Sequence, residues 1–91
     1  MERERRHVVV HGLVQGVGFR FAVERAALSR GVAGWVRNRA EGTAEAVFEG
    51  TAEDVEALVE YCRHGPRGAE VGRVEVEAES AEGLAGFRVL G

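Results

Sequence analysis

The chain has 91 residues, of which 45% are apolar and 30% charged, and its formal net charge is −3. This length and composition predict one soluble globular domain spanning residues 1–91 and argue against a disordered chain. The single cysteine, Cys62, excludes an internal disulfide and a multi-cysteine metal site. The sequence contains neither an apolar run long enough to span a membrane nor a signal peptide, so we expect a cytoplasmic protein with no membrane partner.

All twelve basic residues are arginines, which excludes a Schiff-base lysine and a P-loop lysine. The arginine-only composition fits either a GC-rich genome or selection for heat tolerance. Because the chain is acidic overall, its net field does not favour nucleic acid or an anionic membrane. Any anion site must therefore be built locally, from arginine side chains and backbone N–H groups.

The first part of the chain predicts a strand followed by a helix. Residues 7–14 are rich in β-branched side chains and predict a buried strand, with a bulge at Gly12. A helical period begins at Phe19 and stops at Gly31. Its apolar face would contain Phe19, Ala22, Val23, Ala26 and Ala27.

The rest of the chain predicts a hairpin, a second helix and two further strands. Residues 32–37 and 43–49 favour strands joined by a tight turn at 39–42. Thr51 and Asp54 are typical of a capped helix start. The buried face of this helix would contain Val55, Leu58, Val59 and Cys62, and Gly65-Pro66 would end it. Alternation over 73–79 predicts a strand with one face toward solvent, while its other face would contain Val74, Val76 and Ala78. A short strand follows at 87–90.

The predicted element order is β-α-β-β-α-β plus a short C-terminal strand. Two helices of similar length that each follow a strand best cover one face of an antiparallel sheet. We therefore predict an α+β fold of the ferredoxin-like split β-α-β type. This architecture hosts many activities, so the function has to be argued from the site.

The most informative segment is Val14-Gln15-Gly16-Val17-Gly18-Phe19-Arg20, where the first strand meets the first helix. Two glycines at this spacing let successive N–H groups point into one concavity, and the helix start adds unpaired N–H groups. Arg20 supplies a planar fork that pairs two oxygens of a phosphate or carboxylate. The segment predicts a cradle for one phosphate, although a purely structural strand-to-helix turn can have the same Gly-x-Gly spacing.

Asn38 is the second candidate, at the end of the second predicted strand. In the split β-α-β topology the first two strands are parallel, so their carboxyl ends lie at the same edge of the sheet. Asn38 can therefore approach the loop at 15–20. Its side chain offers an acceptor and a donor, enough to orient one water, while the alternative interpretation is an asparagine that caps the turn.

These segments together resemble the acylphosphatase family. The motif at 14–20 is followed at close family spacing by Gly34-Trp35-Val36-Arg37-Asn38 and Glu41-Gly42, and the similarity extends over nearly the whole chain. The resemblance implies that Arg20 and Asn38 are catalytic. It also implies that the phosphate-binding loop consists of Gln15, Gly16, Val17, Gly18, Phe19 and Arg20. Phe21 and Thr43-Ala44 depart from the commonest choices of the family.

The implied reaction is hydrolysis of a carboxyl–phosphate anhydride to a carboxylate and inorganic phosphate, with no metal and no cofactor. Acyl phosphates carry a good leaving group, so the enzyme needs no nucleophilic side chain. Neutralising the phosphoryl charge and placing a water in line suffice. No general base stands beside the motif, so an oxygen of the substrate's own phosphate is one candidate for the proton acceptor, whose identity stays open.

Other interpretations have weaker support. His7, His11 and His64 lack the spacing of metal ligands, Cys62 suits core packing, and Trp35 suits packing near the site. A ferredoxin-like RNA-binding module would need exposed aromatics on its two central strands, where this chain has only Phe48. A phosphate-binding regulatory module without catalysis stays open, as does the identity of the acyl group. We expect a monomer that acts on a small molecule and not on nucleic acid.

Overall fold

The computed structural model describes residues 2–91. Its elements are β1 (Glu4–Leu13), α1 (Phe19–Arg30), β2 (Ala33–Asn38), β3 (Ala44–Gly50), α2 (Ala52–His64), β4 (Glu70–Glu79) and β5 (Phe87–Leu90). This is the predicted order. The first strand begins three residues earlier than predicted because Glu4, Arg5 and Arg6 pair with β3.

The five strands form one sheet in the order β4-β1-β3-β2-β5. β1 is antiparallel to both β3 and β4, and β2 is antiparallel to β3. The ferredoxin-like α+β fold is therefore confirmed. The C-terminal strand makes the sheet mixed, because β5 runs parallel to β2. Since β1 and β2 both oppose β3, they are parallel to each other and end at the same edge of the sheet.

Both helices begin and end where the local sequence predicts. α1 follows Gly18 and is terminated by Gly31, whose φ of 68° lies in the left-handed region that favours glycine. α2 is capped by Thr51, whose hydroxyl accepts a 3.3 Å hydrogen bond from the N–H of Asp54. The helices place Phe19, Val23, Ala27, Val55, Leu58, Val59 and Cys62 in the core. The other two residues of the predicted α1 face, Ala22 and Ala26, are half-buried, and Ala26 packs against the core.

The core lies between the helices and one face of the sheet. Phe48 of β3 stacks on Phe87 of β5 with ring centroids 5.9 Å apart, which ties the last strand to the centre of the sheet. The prediction that one face of β4 points away from solvent is only partly correct. Val74 packs against the core, but Val76 is 36% exposed and Ala78 is exposed, because β4 lies at the edge of the sheet.

The predicted bulge at Gly12 is confirmed by a shift of the β1–β4 register between His11 and Gly12. Gly12 has a φ of 130°, and a Cβ there would lie 2.1 Å from the carbonyl oxygen of Glu70. Only glycine allows this close approach of the two backbones. Beyond the bulge, β1 leads directly into the loop that precedes α1.

Candidate active site

The loop between β1 and α1 is shaped by two glycines. Gly16 and Gly18 have φ values of 77° and 78°, so both adopt the left-handed conformation that side chains disfavour. A Cβ added at either position meets no atom within 4 Å. The glycines are therefore required by the backbone conformation and not by a lack of space.

The backbone N–H groups of this loop are available to a ligand. The first hydrogen bond of α1 runs from the N–H of Ala22 to the carbonyl oxygen of Gly18, at 3.0 Å. Within residues 2–91, no turn or loop hydrogen bond uses the N–H groups of residues 15–21. Unpaired N–H groups and the positive end of the helix dipole make this end of α1 suited to an anion.

A cavity of about 200 Å³ opens at this loop. Its lining residues are Val14, Gly16, Gly18, Phe19, Arg20, Phe21 and Asn38. The structure thus brings both predicted catalytic residues, Arg20 and Asn38, to the predicted phosphate loop. Two residues of that loop, Gln15 and Val17, do not line the cavity; Val17 packs against the core instead.

Arg20 lies in the first turn of α1, at the cavity. Its Nη1 donates a 2.9 Å hydrogen bond to the backbone oxygen of Gly91, and its guanidinium lies 5.6 Å from the ring centre of Phe21. A guanidinium has five N–H donors, so this single bond leaves four for oxygens in the cavity. The hydrogen bond to Gly91 holds the planar group at the cavity wall.

Asn38 ends β2 and lines the cavity, and its side chain carries a buried atom with no partner. Its Oδ1 is buried and has no hydrogen-bond partner among residues 2–91. A buried acceptor without a donor costs about 1–3 kcal/mol, so a structure retains one where a water or ligand satisfies it. The turn-capping interpretation gains no support from this atom, since no backbone N–H donates to it.

Gln15 has a different environment from the one we expected. Its Nε2 donates to the carbonyl oxygen of Arg39 at 2.7 Å and to that of Thr43 at 3.0 Å. The side chain therefore points to the β2–β3 turn and away from the cavity. Sequence reasoning missed this contact, because its partners lie 24 and 28 residues away and no local pattern indicates them.

Phe21 was also missed as a residue of the site. It lines the cavity next to Arg20, and it is 57% exposed. Helical periodicity places Phe21 on the solvent-facing side of α1, where an aromatic residue is unusual. The sequence signal that could have identified Phe21 as a site residue is that phenylalanine is not the commonest residue of the family at this position.

The other candidate groups stay outside the site. Burial raises the pKa of the Cys62 thiol to about 12, which suits core packing. No group of three His, Cys, Asp or Glu side chains within residues 2–91 is placed to bind a metal ion.

Phe48 is fully buried on the helix side of β3, so it cannot serve as a base-stacking platform for RNA. None of the helices in residues 2–91 is both long and apolar enough to cross a membrane.

Known proteins match this chain over nearly its whole length. A family model described as acylphosphatase matches residues 6–89. The acylphosphatase of Thermococcus kodakarensis is 54% identical over the full length of both chains, and that of Pelotomaculum thermopropionicum is 52% identical over 98% of each. The crystal structure of acylphosphatase from Bacillus subtilis matches with a TM-score of 0.93 at 35% identity, covering 97% of this chain and 99% of that one. The chain therefore belongs to the acylphosphatase family, and its activity is the hydrolysis of acyl phosphates.

Proposed function

We propose that the phosphoryl group of the acyl phosphate binds in the cavity between the loop at 15–20 and Asn38. The observation that carries this proposal is the buried Oδ1 of Asn38, an unpaired acceptor on a residue that lines the same cavity as Arg20 and the loop with its free N–H groups. Donors on one side and an acceptor on the other match the two partners of the reaction, a phosphoryl group and a water molecule.

The loop and Arg20 bind the phosphoryl oxygens. The backbone N–H groups of Gly16, Val17, Gly18 and Phe19 supply donors that need no reorganisation during the reaction. Arg20 contributes two parallel donors and a positive charge. Such fixed donors stabilise the charge on the phosphoryl oxygens in the transition state. Gln15 contributes to this loop through its backbone, since its side chain is engaged elsewhere.

Asn38 orients the attacking water. Its Oδ1 accepts a hydrogen bond from the water, whose oxygen attacks phosphorus as the bond to the acyl oxygen breaks and the carboxylate leaves. The seven lining residues include no carboxylate, histidine or cysteine that could remove a proton. We assign the proton acceptor to an oxygen of the substrate's own phosphate. The positioning of the water and the neutralisation of the phosphoryl charge then account for each step of the reaction.

The same chemistry requires neither metal nor cofactor. We further propose that the protein acts as a single-domain monomer in the cytoplasm, with a small-molecule substrate and without nucleic acid. A net charge of −3 and the buried position of Phe48 support the last point.

The experiment is a turnover assay with benzoyl phosphate, a generic aromatic acyl phosphate. We expect hydrolysis that persists in the presence of a metal chelator and that is competitively inhibited by inorganic phosphate. Phosphate binding without turnover would indicate a regulatory module in place of an enzyme. Activity that disappears with chelation and returns with a divalent cation would contradict the metal-free mechanism.

A further inference from the structure

The proposed mechanism requires two segments of the chain to keep a fixed relative position. The phosphate loop follows β1, and Asn38 ends β2. These strands are not neighbours in the sheet, because β3 lies between them. The backbone ladder therefore does not connect the two segments directly.

The side chain of Gln15 bridges this gap. Its amide nitrogen donates to the carbonyl oxygens of Arg39 and Thr43, at 2.7 Å and 3.0 Å. The same two residues close the β2–β3 turn, since the N–H of Arg39 donates to the carbonyl oxygen of Thr43 at 2.9 Å. Gln15 thus joins both ends of the turn that begins immediately after Asn38.

We propose that Gln15 is a positioning residue, whose side-chain amide fixes the turn at 39–43, and with it Asn38, relative to the phosphate loop. This inference rests on the proposed function, because it presupposes that Asn38 orients the water. It assigns to Gln15 no contact with the phosphate through its side chain.

The chemistry of the contact selects an amide. Two carbonyl oxygens need two N–H donors from a neutral group of this length, and the NH₂ group of glutamine supplies both. A carboxylate at the same place would offer acceptors only and would face two further acceptors. An apolar side chain would leave the two carbonyls without this partner.

The consequence for catalysis is a split between turnover and phosphate binding. In Gln15→Ala the loop N–H groups and Arg20 are unchanged, so we expect the inhibition constant of inorganic phosphate to change less than about threefold. The kcat for benzoyl phosphate should fall about tenfold or more, because small displacements of a positioned group are costly. An unchanged kcat, or an equal loss of phosphate affinity and kcat, would overturn the proposal.

A double-mutant cycle tests whether Gln15 acts through Asn38. If it does, Gln15→Ala should change kcat less than about twofold when Asn38 is already alanine. Independent, multiplicative effects would overturn the proposal. Ser29→Ala is the matched control: it also removes a side-chain hydrogen bond to a carbonyl, that of Ala26, on an exposed part of α1. Its kcat should equal that of the wild type.

The variant Gln15→Glu provides a pH readout that a purely structural role would not give. Once protonated, its carboxyl group has one O–H donor and can restore one of the two bonds. Its kcat relative to the wild type should rise as the pH is lowered, whereas Gln15→Met should show a constant deficit. A constant deficit in both variants would contradict the donor role.

Nuclear magnetic resonance separates this inference from the proposed function. The chain contains one glutamine and one asparagine, so its ¹⁵N spectrum holds only two pairs of side-chain amide signals. In Gln15→Ala the remaining pair belongs to Asn38 and should shift or broaden, independently of any activity. Unchanged Asn38 signals would overturn the positioning role, while failure of Asn38→Ala to lower kcat would instead overturn the proposed function.

Discussion

The carboxylate of Glu49 on β3 is completely buried and accepts a 2.8 Å hydrogen bond from Nη1 of Arg5 on β1. It also accepts hydrogen bonds from the N–H groups of Glu82, Gly83 and Leu84, which shape the connection between β4 and β5. Burial by itself raises the pKa of Glu49, but these N–H groups and the guanidinium lower it to about 2.

This pair predicts acid sensitivity of the fold. The pKa of Glu49 is about 2 in the folded chain, against an ordinary value of 4.5 for a glutamate. Its contribution to stability is therefore complete above pH 4.5 and is lost as the pH falls toward 2. Glu49→Gln should lower the free energy of unfolding at pH 7 by about 1.5–3 kcal/mol and flatten its decline in acid. Urea unfolding at several pH values measures both effects.

The exposed Glu56 on α2 provides the control for this prediction. Glu56→Gln should leave the free energy of unfolding within about 0.5 kcal/mol of the wild type. An acid decline in Glu49→Gln as steep as that of the wild type would contradict the assignment to Glu49.

The elements and the loop could be predicted from the sequence because their signals are local. The caps at Thr51 and Gly31 and the paired glycines at 16 and 18 each act within a few residues. Asn38 could be placed near the loop because the strand order of the fold brings two carboxyl ends together. These predictions needed periodicity, turn chemistry and topology alone.

Glu49 and Gln15 could not be predicted, because their roles depend on distant partners. The residues at 43–49 predicted a strand but not its complete burial, and every residue of β3 is buried. Glu49 meets Arg5, 44 positions away, and Gln15 meets a turn 24 to 28 positions away. A polar residue in a strand or loop has no local feature that identifies such a partner.

Arg20 should not be replaceable by lysine. Arg20→Lys keeps the charge but loses the planar fork, and its single ammonium cannot bind Gly91 and two phosphoryl oxygens in the same geometry. Losing a charge-assisted pair costs about 1.5–3 kcal/mol, so the inhibition constant of inorganic phosphate should rise at least about tenfold. Unchanged inhibition would remove Arg20 from the site.

Gly18 should be required for phosphate binding through its backbone conformation. A left-handed residue with a side chain costs about 1–2 kcal/mol, so Gly18→Val favours a different loop conformation and should weaken phosphate inhibition about fivefold to thirtyfold. Gly31 has a φ of 68° and an equally open surrounding, but it lies at the other end of α1. Gly31→Val should therefore lower the free energy of unfolding and leave the inhibition constant of inorganic phosphate unchanged. Equal phosphate affinity in the two variants would show that the loop backbone is not the cradle.

Asn38 should affect turnover and not phosphate affinity. Asn38→Ala removes the acceptor that orients the water, an interaction needed mainly in the transition state. We expect kcat to fall about 10²-fold, while inhibition by inorganic phosphate stays near the wild-type value. The fold should survive, because the substitution removes a buried acceptor that has no partner. Weakened phosphate inhibition with a normal kcat would place Asn38 in the phosphate cradle.

Phe21 should influence which acyl group the enzyme prefers. Its ring lines the cavity beside Arg20 and is 57% exposed, so an apolar acyl group that extends from the bound phosphoryl group can contact it. Phe21→Ala should lower kcat/KM for benzoyl phosphate about twofold to twelvefold, the effect of an aromatic contact of about 0.5–1.5 kcal/mol. The acetyl group is too small to cover the ring, so kcat/KM for acetyl phosphate should change less than about twofold.

Leu28 is the matched control, since it is 59% exposed on the same helix and lies outside the cavity. Leu28→Ala should leave kcat/KM for both substrates unchanged, which separates contact with substrate from a general effect of removing an apolar surface residue. Inorganic phosphate lacks an acyl group, so its inhibition constant should be the same in Phe21→Ala as in the wild type. An equal loss for benzoyl and acetyl phosphate would mean that Phe21 acts on Arg20, whose guanidinium lies 5.6 Å from the ring centre, and not on the acyl group.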